Sequence, residues 1–149
     1  MEWNVTTAFN LTQLVAPVML KGQGGSVINI ASAAGRFSAR GFSAYGTAKA
    51  AMIHLTRNLA VDLSPRIRVN AIAPGAIATS ALDAVLENLA IHKEMVERTP
   101  LKRLGQTDDI SAGAVYLASP ASSYVTGRVL EIDGGQEASN LELGIPDLE

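Results

Sequence analysis

Ser26-Val27-Ile28-Asn29-Ile30-Ala31-Ser32 is the stretch on which the fold turns. It follows a turn at Gly22-Gln23-Gly24-Gly25 and is short and mostly apolar. Such a run reads as a buried strand of a parallel sheet, over Ser26–Ala31, that delivers Ser32 at its carboxyl end. The next residues supply its crossover. Gly35–Phe42 is a small, flexible connector, and Ser43–Leu63 reads as a long helix whose Ala48, Ala50 and Ala51 allow close helix contact. Arg68–Ala73 reads as a second strand, stopped by Pro74-Gly75. Thr107 or Asp108 can cap a helix running through Leu117, with Asp109 favourable in its first turn, and Ser119-Pro120 ends it. Val129–Ile132 is the third strand. Strand, helix, strand, helix, strand is the grammar of an α/β chain with a doubly covered parallel sheet.

Outside that unit the pattern is helical. Val5–Leu20 carries apolar residues at helical spacing, and Pro17 should kink that helix or lie near its end. Ala81–Glu97 reads as a mixed helix that can cover a site, with Ser80 as its N-cap and its charged residues as a wet face. Thr99–Gly105 reads as a loop. There is no internal repeat and no low-complexity segment. An isolated three-stranded piece leaves a strand edge and apolar helix surface uncovered, so association is expected.

Composition narrows the function classes. With 149 residues, 48% hydrophobic and 17% charged, the chain is long and apolar enough for one domain with a real core. A net charge of −2 gives no reason to expect nucleic-acid binding. Arg66-Ile67-Arg68 and Lys102-Arg103 read as solvated loop residues or carboxylate partners. The chain has no cysteine, which excludes disulfides and cysteine metal sites and fits a reducing, cytoplasmic setting. His54 and His92 lack ligand-like spacing, so no metal site is expected, and His54 reads as a packed helix residue. No apolar run is long enough for a membrane span. Met1-Glu2-Trp3-Asn4 lacks the basic start of a secretory signal.

The chemistry lies in Ser43-Ala44-Tyr45-Gly46-Thr47-Ala48-Lys49. A free phenol, with a pKa of about 10, exchanges protons poorly at neutral pH. Tyr45 and Lys49 are spaced i, i+4, on one face of a helix. A unit charge about 4 Å away is worth roughly 4 kcal/mol at an effective dielectric near 20, enough to bring a phenol into range for acid–base work. Ligand sites of parallel α/β sheets lie at the carboxyl ends of strands, so Ser32 and this pair can converge. The bland alternative is a packed tyrosine beside a solvated lysine.

Ile28-Asn29-Ile30-Ala31-Ser32, Tyr45-Gly46-Thr47-Ala48-Lys49, Arg68-Val69-Asn70-Ala71-Ile72-Ala73-Pro74-Gly75 and Asp133-Gly134-Gly135 occur in that order. Together they resemble the short-chain dehydrogenase/reductase family, in particular its 3-oxoacyl carrier protein reductases and 7α-hydroxysteroid dehydrogenases. The resemblance implies a partial Rossmann fold. Residues 1–136 would form the carboxyl-terminal half of the domain and 137–149 a tail. It further implies hydride transfer between NAD or NADP and a ketone or secondary alcohol. Tyr45 would exchange the proton, Ser32 would hydrogen-bond the same oxygen, and Lys49 would assist Tyr45 and bind the nicotinamide ribose. Asn4 would position a water in the proton relay, although an asparagine bonding a kinked backbone is a competing reading. Pro74, Gly75, Ile77 and Thr79 would approach the nicotinamide end of the cofactor, where Tyr45 and Lys49 also lie. Asn70 would tie neighbouring structure together. The helices over 3–20 and 44–63 would form a subunit interface, giving a homo-oligomer, a dimer or tetramer, that acts on a small molecule.

The sequence also departs from that family. It carries no Gly-rich turn between an opening strand and helix, and no acidic residue for the adenosine ribose. Gly22-Gln23-Gly24-Gly25 precedes a strand, so it cannot aim a helix N-terminus at a pyrophosphate. The expectation is therefore a chain with the nicotinamide side of the site only, binding NAD(H) or NADP(H) poorly. A non-catalytic remnant acting as an oligomeric or partner-binding fold is the competing reading. A serine hydrolase built on Ser32 fails for want of a nucleophile elbow and a suitably placed histidine. The connector 35–42 and the segment 80–98 would set the substrate, and the residues do not say which one.

Overall fold

Alternation along the central strand decides how the layers stack. The computed structural model describes residues 1–147, save the side chains of Ala84 and Leu86. Its sheet has three parallel strands in the order β1 (Gly25–Ile30), β2 (Ile67–Pro74) and β3 (Val129–Ile132). Val27 pairs with Val69, and Ala71 with Val129. Successive side chains of a strand point to opposite faces. Ile67, Val69, Ala71 and Ala73 face α1 (Thr7–Lys21) and α2 (Ser43–Asp62), packing with Ala16, Met52, Leu59 and Ala60. The opposite face receives α5 (Thr107–Ala118), where Gly113 lets the helix approach Ile132 and Leu130. Both faces are covered, so β2 is almost wholly buried.

Polar groups inside this core are matched. Asn29 Nδ2 donates to Thr56 Oγ1 at 2.9 Å, and that hydroxyl donates to the Met52 carbonyl at 2.9 Å. Asn70 Nδ2 donates to the Val125 carbonyl and its Oδ1 accepts from the Arg128 N–H, tying the 125–128 turn to β2. Arg68 is a structural clamp rather than a solvated loop residue. Its guanidinium donates to Ser122 Oγ at 2.9 Å and to the Leu117 carbonyl at 3.0 Å, closing the end of α5. His54, expected to be packed, is exposed on α2, because the buried stripe of that helix runs through Ala48, Met52, Thr56 and Leu59 instead.

The helix boundaries differ from the sequence reading in three places. The first helix opens as a π-turn over Glu2–Thr6 before α1, and Pro17 lies inside α1 near its end. The single helix expected over 81–97 is two, α3 (Asp83–Leu86) and α4 (Leu89–Arg98). Asn88, not Ser80, is the working cap: its Oδ1 accepts from the N–H groups of Ala90 and Ile91. Helix α5 is capped by Gln106, ahead of the expected Thr107 or Asp108, because Asp109 reaches back to the Gln106 N–H at 2.7 Å. No helix among the described residues is long and apolar enough to cross a membrane.

Candidate active site

Strand β1 ends at Ile30, and Ser32 follows in extended conformation. Its Oγ accepts from the Ala34 N–H at 3.2 Å and starts the short 3-10 turn Ala33–Gly35. One acceptor site is thus used and the hydroxyl proton remains available to donate. Two glycines seat this turn on α2. A Cβ on Gly46 would stand 2.9 Å from the Ala34 carbonyl, and one on Gly35 would stand 2.7 Å from the Lys49 carbonyl carbon. Any larger residue would push the serine and the helix apart. This close approach is the physical reason that Ser32 and Tyr45 share one site. The glycine directly after Tyr45 marks this approach in the sequence.

Tyr45 lies in the first turn of α2, exposed to 43% and packed edge-on against Phe42 at 6.1 Å between centroids. Lys49 Nζ lies 5.7 Å from the Tyr45 ring centroid. It donates to the Ile30 carbonyl at 2.9 Å, so the ammonium is anchored on the strand end rather than on the phenol oxygen. Burial pushes Lys49 below its ordinary value, as desolvation disfavours the charged form.

Ser32 and Tyr45 open onto a cleft of about 270 Å³ that Pro74, Gly75, Ile77 and Thr79 also line. Ile77 forms an isolated parallel bridge with Gly105. The bridge uses the Ala76 carbonyl and the Ala78 N–H, so Ile77's own main-chain groups lie on the other side. Thr79 Oγ1 leans on the Ile77 carbonyl at 3.5 Å. Phe37, Phe42, Leu82, Met95 and Leu141 make the rest of the wall largely apolar, and Gln136 joins them. Leu141 and Gln136 carried no motif. They reach the cleft only because the segment after β3 folds back, with Asn140 Nδ2 donating to Thr99 Oγ1 at 3.0 Å. Asn4 is half-buried in the π-turn that packs on α2, and it does not line the cleft. A larger hollow of about 550 Å³ lies beyond Ile77, between Arg103, Asp109 and Glu131, but it touches neither Ser32 nor Tyr45.

A family model described as enoyl-(acyl carrier protein) reductase matches residues 1–137. The chain belongs to the short-chain dehydrogenase/reductase family. It is 59% identical over 147 residues to an uncharacterized oxidoreductase of Mycobacterium tuberculosis, covering 98% of this chain and 56% of that one. It is 47% identical over 135 residues to the 7α-hydroxysteroid dehydrogenase of Escherichia coli strain K12, covering 90% of this chain and 52% of that one. A solved structure of a 7α-hydroxysteroid dehydrogenase, complexed with NADH and 7-oxo glycochenodeoxycholic acid, superposes with a TM-score of 0.85 at 46% identity. That match covers 89% of this chain and 52% of that one. Members of the family are oxidoreductases, and this dehydrogenase/reductase chain spans about half the length of the curated relatives it matches.

Proposed function

We propose that this chain carries the proton-transfer and nicotinamide side of an NAD- or NADP-dependent oxidoreductase that interconverts a secondary alcohol and a ketone, of steroid or 3-oxoacyl type. On this reading residues 1–136 are the carboxyl-terminal half of a Rossmann-type domain, and 137–149 are a tail, whose last two residues lie outside the described ones. The observation that carries it is the shared cleft: Ser32 and Tyr45 on one wall, Lys49 behind the phenol ring, and Pro74, Gly75, Ile77 and Thr79 on the other. The donor set suits the carboxamide end of a nicotinamide, because Ile77 has main-chain groups turned away from its bridge to Gly105.

When bound, a nicotinamide cofactor supplies or accepts the hydride. The chain's own residues manage the proton. Tyr45 donates its hydroxyl proton to the substrate oxygen in reduction and receives it back in oxidation. The Ser32 hydroxyl donates to the same oxygen and stabilises the charge that develops there. Lys49, fixed by the Ile30 carbonyl, places a positive charge beside the ring, offsetting the negative charge left on the phenol oxygen. Its lowered pKa means this charge is costly to keep in place, so the Ile30 carbonyl is part of the machinery. Asn4, on the π-turn that packs on α2, would position a water in the proton relay.

The test is a substrate panel on the protein as its gene encodes it. A 7-oxo bile acid and a 3-oxoacyl thioester are offered with NADH and with NADPH, and nicotinamide absorbance is followed. Turnover is expected with at least one pair, and Tyr45→Phe should lower kcat by about 10²-fold or more. No turnover with any pair would remove the reading. Calorimetry on the 149-residue chain is expected to show weak cofactor binding, and tight binding would contradict the nicotinamide-side assignment. The competing reading, an oligomeric fold without activity, draws on the apolar surface that α1 leaves exposed. It predicts association with no turnover.

A further inference from the structure

Among the described residues, one buried side-chain group has no partner where the others do. Gln136 is only 3% exposed, and among the described residues its Nε2 is the single buried side-chain donor or acceptor without a hydrogen bond. An unpaired buried amide is destabilising, so its presence asks for a physical reason. Looseness is not that reason. The Gln136 carbonyl accepts from Arg36 Nη2, and the same guanidinium also holds Asp133 at 2.8 Å. Asp133 Oδ1 in turn accepts from the Gly135 N–H at 2.9 Å. The main chain on both sides of the amide is therefore pinned.

The position of this side chain gives the reason. Gln136 lines the cleft that Ser32 and Tyr45 share. Its Oε1 lies 2.6 Å from where a Cβ on Gly75 would stand, so a glycine there makes room for the amide. Of the other polar side chains besides Ser32, Tyr45 and Thr79 in that cleft, Ser139 and Asn140 are already engaged, donating to the Leu141 carbonyl and to the Met95 carbonyl and Thr99 Oγ1. A planar amide presents a donor at one end and an acceptor at the other, and a half-turn about its last bond exchanges them. We propose that the Gln136 amide hydrogen-bonds an oxygen of the small molecule that fills this cleft, and so sets which ligands the site prefers. The ligand oxygen is a carbonyl or ester oxygen away from the reacting carbon. It belongs either to the substrate or to the nicotinamide carboxamide. The role rests on the oxidoreductase reading above.

The experiment uses a matched pair of ketones, ethyl acetoacetate and methyl pentyl ketone, which differ in the ester oxygens. In Gln136→Leu, kcat/KM for the keto ester should fall between about two- and ten-fold, the range set by one hydrogen bond. The plain ketone should be unaffected if the oxygen is the substrate's. If the oxygen is the carboxamide's, both ketones lose equally and the dissociation constant for NADH rises by that factor. The variant should melt no lower than the parent, because an unpaired amide has been removed. A second readout needs no turnover. The Gln136 side-chain NH₂ signals, assigned by their loss in Gln136→Leu, should shift on adding ethyl acetoacetate or NADH. Unmoved signals with both ligands would overturn the proposal, as would unchanged kinetics with both ketones. An enzyme that turns over ketones yet shows no effect of Gln136→Leu loses this inference alone. A protein inactive with every ketone loses the parent reading, and the spectroscopic arm still decides the role of Gln136.

Discussion

Thr56 is wholly buried, and its hydroxyl both receives the Asn29 amide and donates to the Met52 carbonyl. Thr56→Val keeps the shape and strands the Asn29 donor in the core. It should therefore cost about 1–3 kcal/mol in urea unfolding. Adding Asn29→Val should recover part of that loss, because the stranded group is then removed, and a purely additive double variant would contradict the pairing. At this scale part of the site was legible in the sequence. Ser32 and Tyr45 meet at one cleft as their spacing suggested, and Asn70 ties β2 to the next turn. The direction of Lys49 was not legible. Residues i and i+4 share a helix face, but the strand-end carbonyl that captures the ammonium comes from another element. Gln136 was invisible for the same reason, since nothing within its own stretch marks a cleft wall.

Helix α5 shows what a cap does at the next scale. The Asp109 carboxylate accepts from Arg103 at 2.7 and 2.9 Å and from the Gln106 N–H at 2.7 Å. The Arg103 guanidinium, with the Gln106 N–H second, holds its pKa down from 3.8 to about 2. A folded-state pKa below the unfolded one means that the unfolded chain binds the proton first. The cap's contribution is thus complete above the ordinary value of 3.8 and is lost as pH falls through about 2. Stability curves of the parent and Asp109→Asn should differ at neutral pH and converge over that acid window. A gap that persists below it would place the effect elsewhere. Elements were less legible than residues where two signals competed. The charged pattern of 81–97 supports one helix, yet Asn88 caps a new one because its side chain satisfies two N–H groups at once. The strand-to-helix alternation survived because short apolar runs and the Pro74-Gly75 stop are strong local signals.

At the scale of the whole molecule, surface is left bare. Leu11, Leu14 and Val18 of α1 are exposed to 56%, 71% and 68%. Strands β1 and β3 each pair with β2 alone, so both outer edges are open among the described residues. Sedimentation of the 149-residue chain should give a mass above 15.6 kDa that rises with concentration. Leu14→Lys with Val18→Lys should reduce that association, and a monomer at all concentrations would contradict it. The covered sheet faces were legible as a βαβ pattern. The fold-back of the last residues was not, because it depends on contacts made across the whole fold, Arg40 with Asp147 and Arg98 with Glu142 among them.

That fold-back makes the 136–141 segment a wall of the cleft. Leu141 lines the cleft, and Asn140 is anchored on Met95 and Thr99. Exopeptidase trimming back to Gln136 would strip both, while every strand of the sheet would stay intact. Digestion should change ligand preference well before it melts the protein.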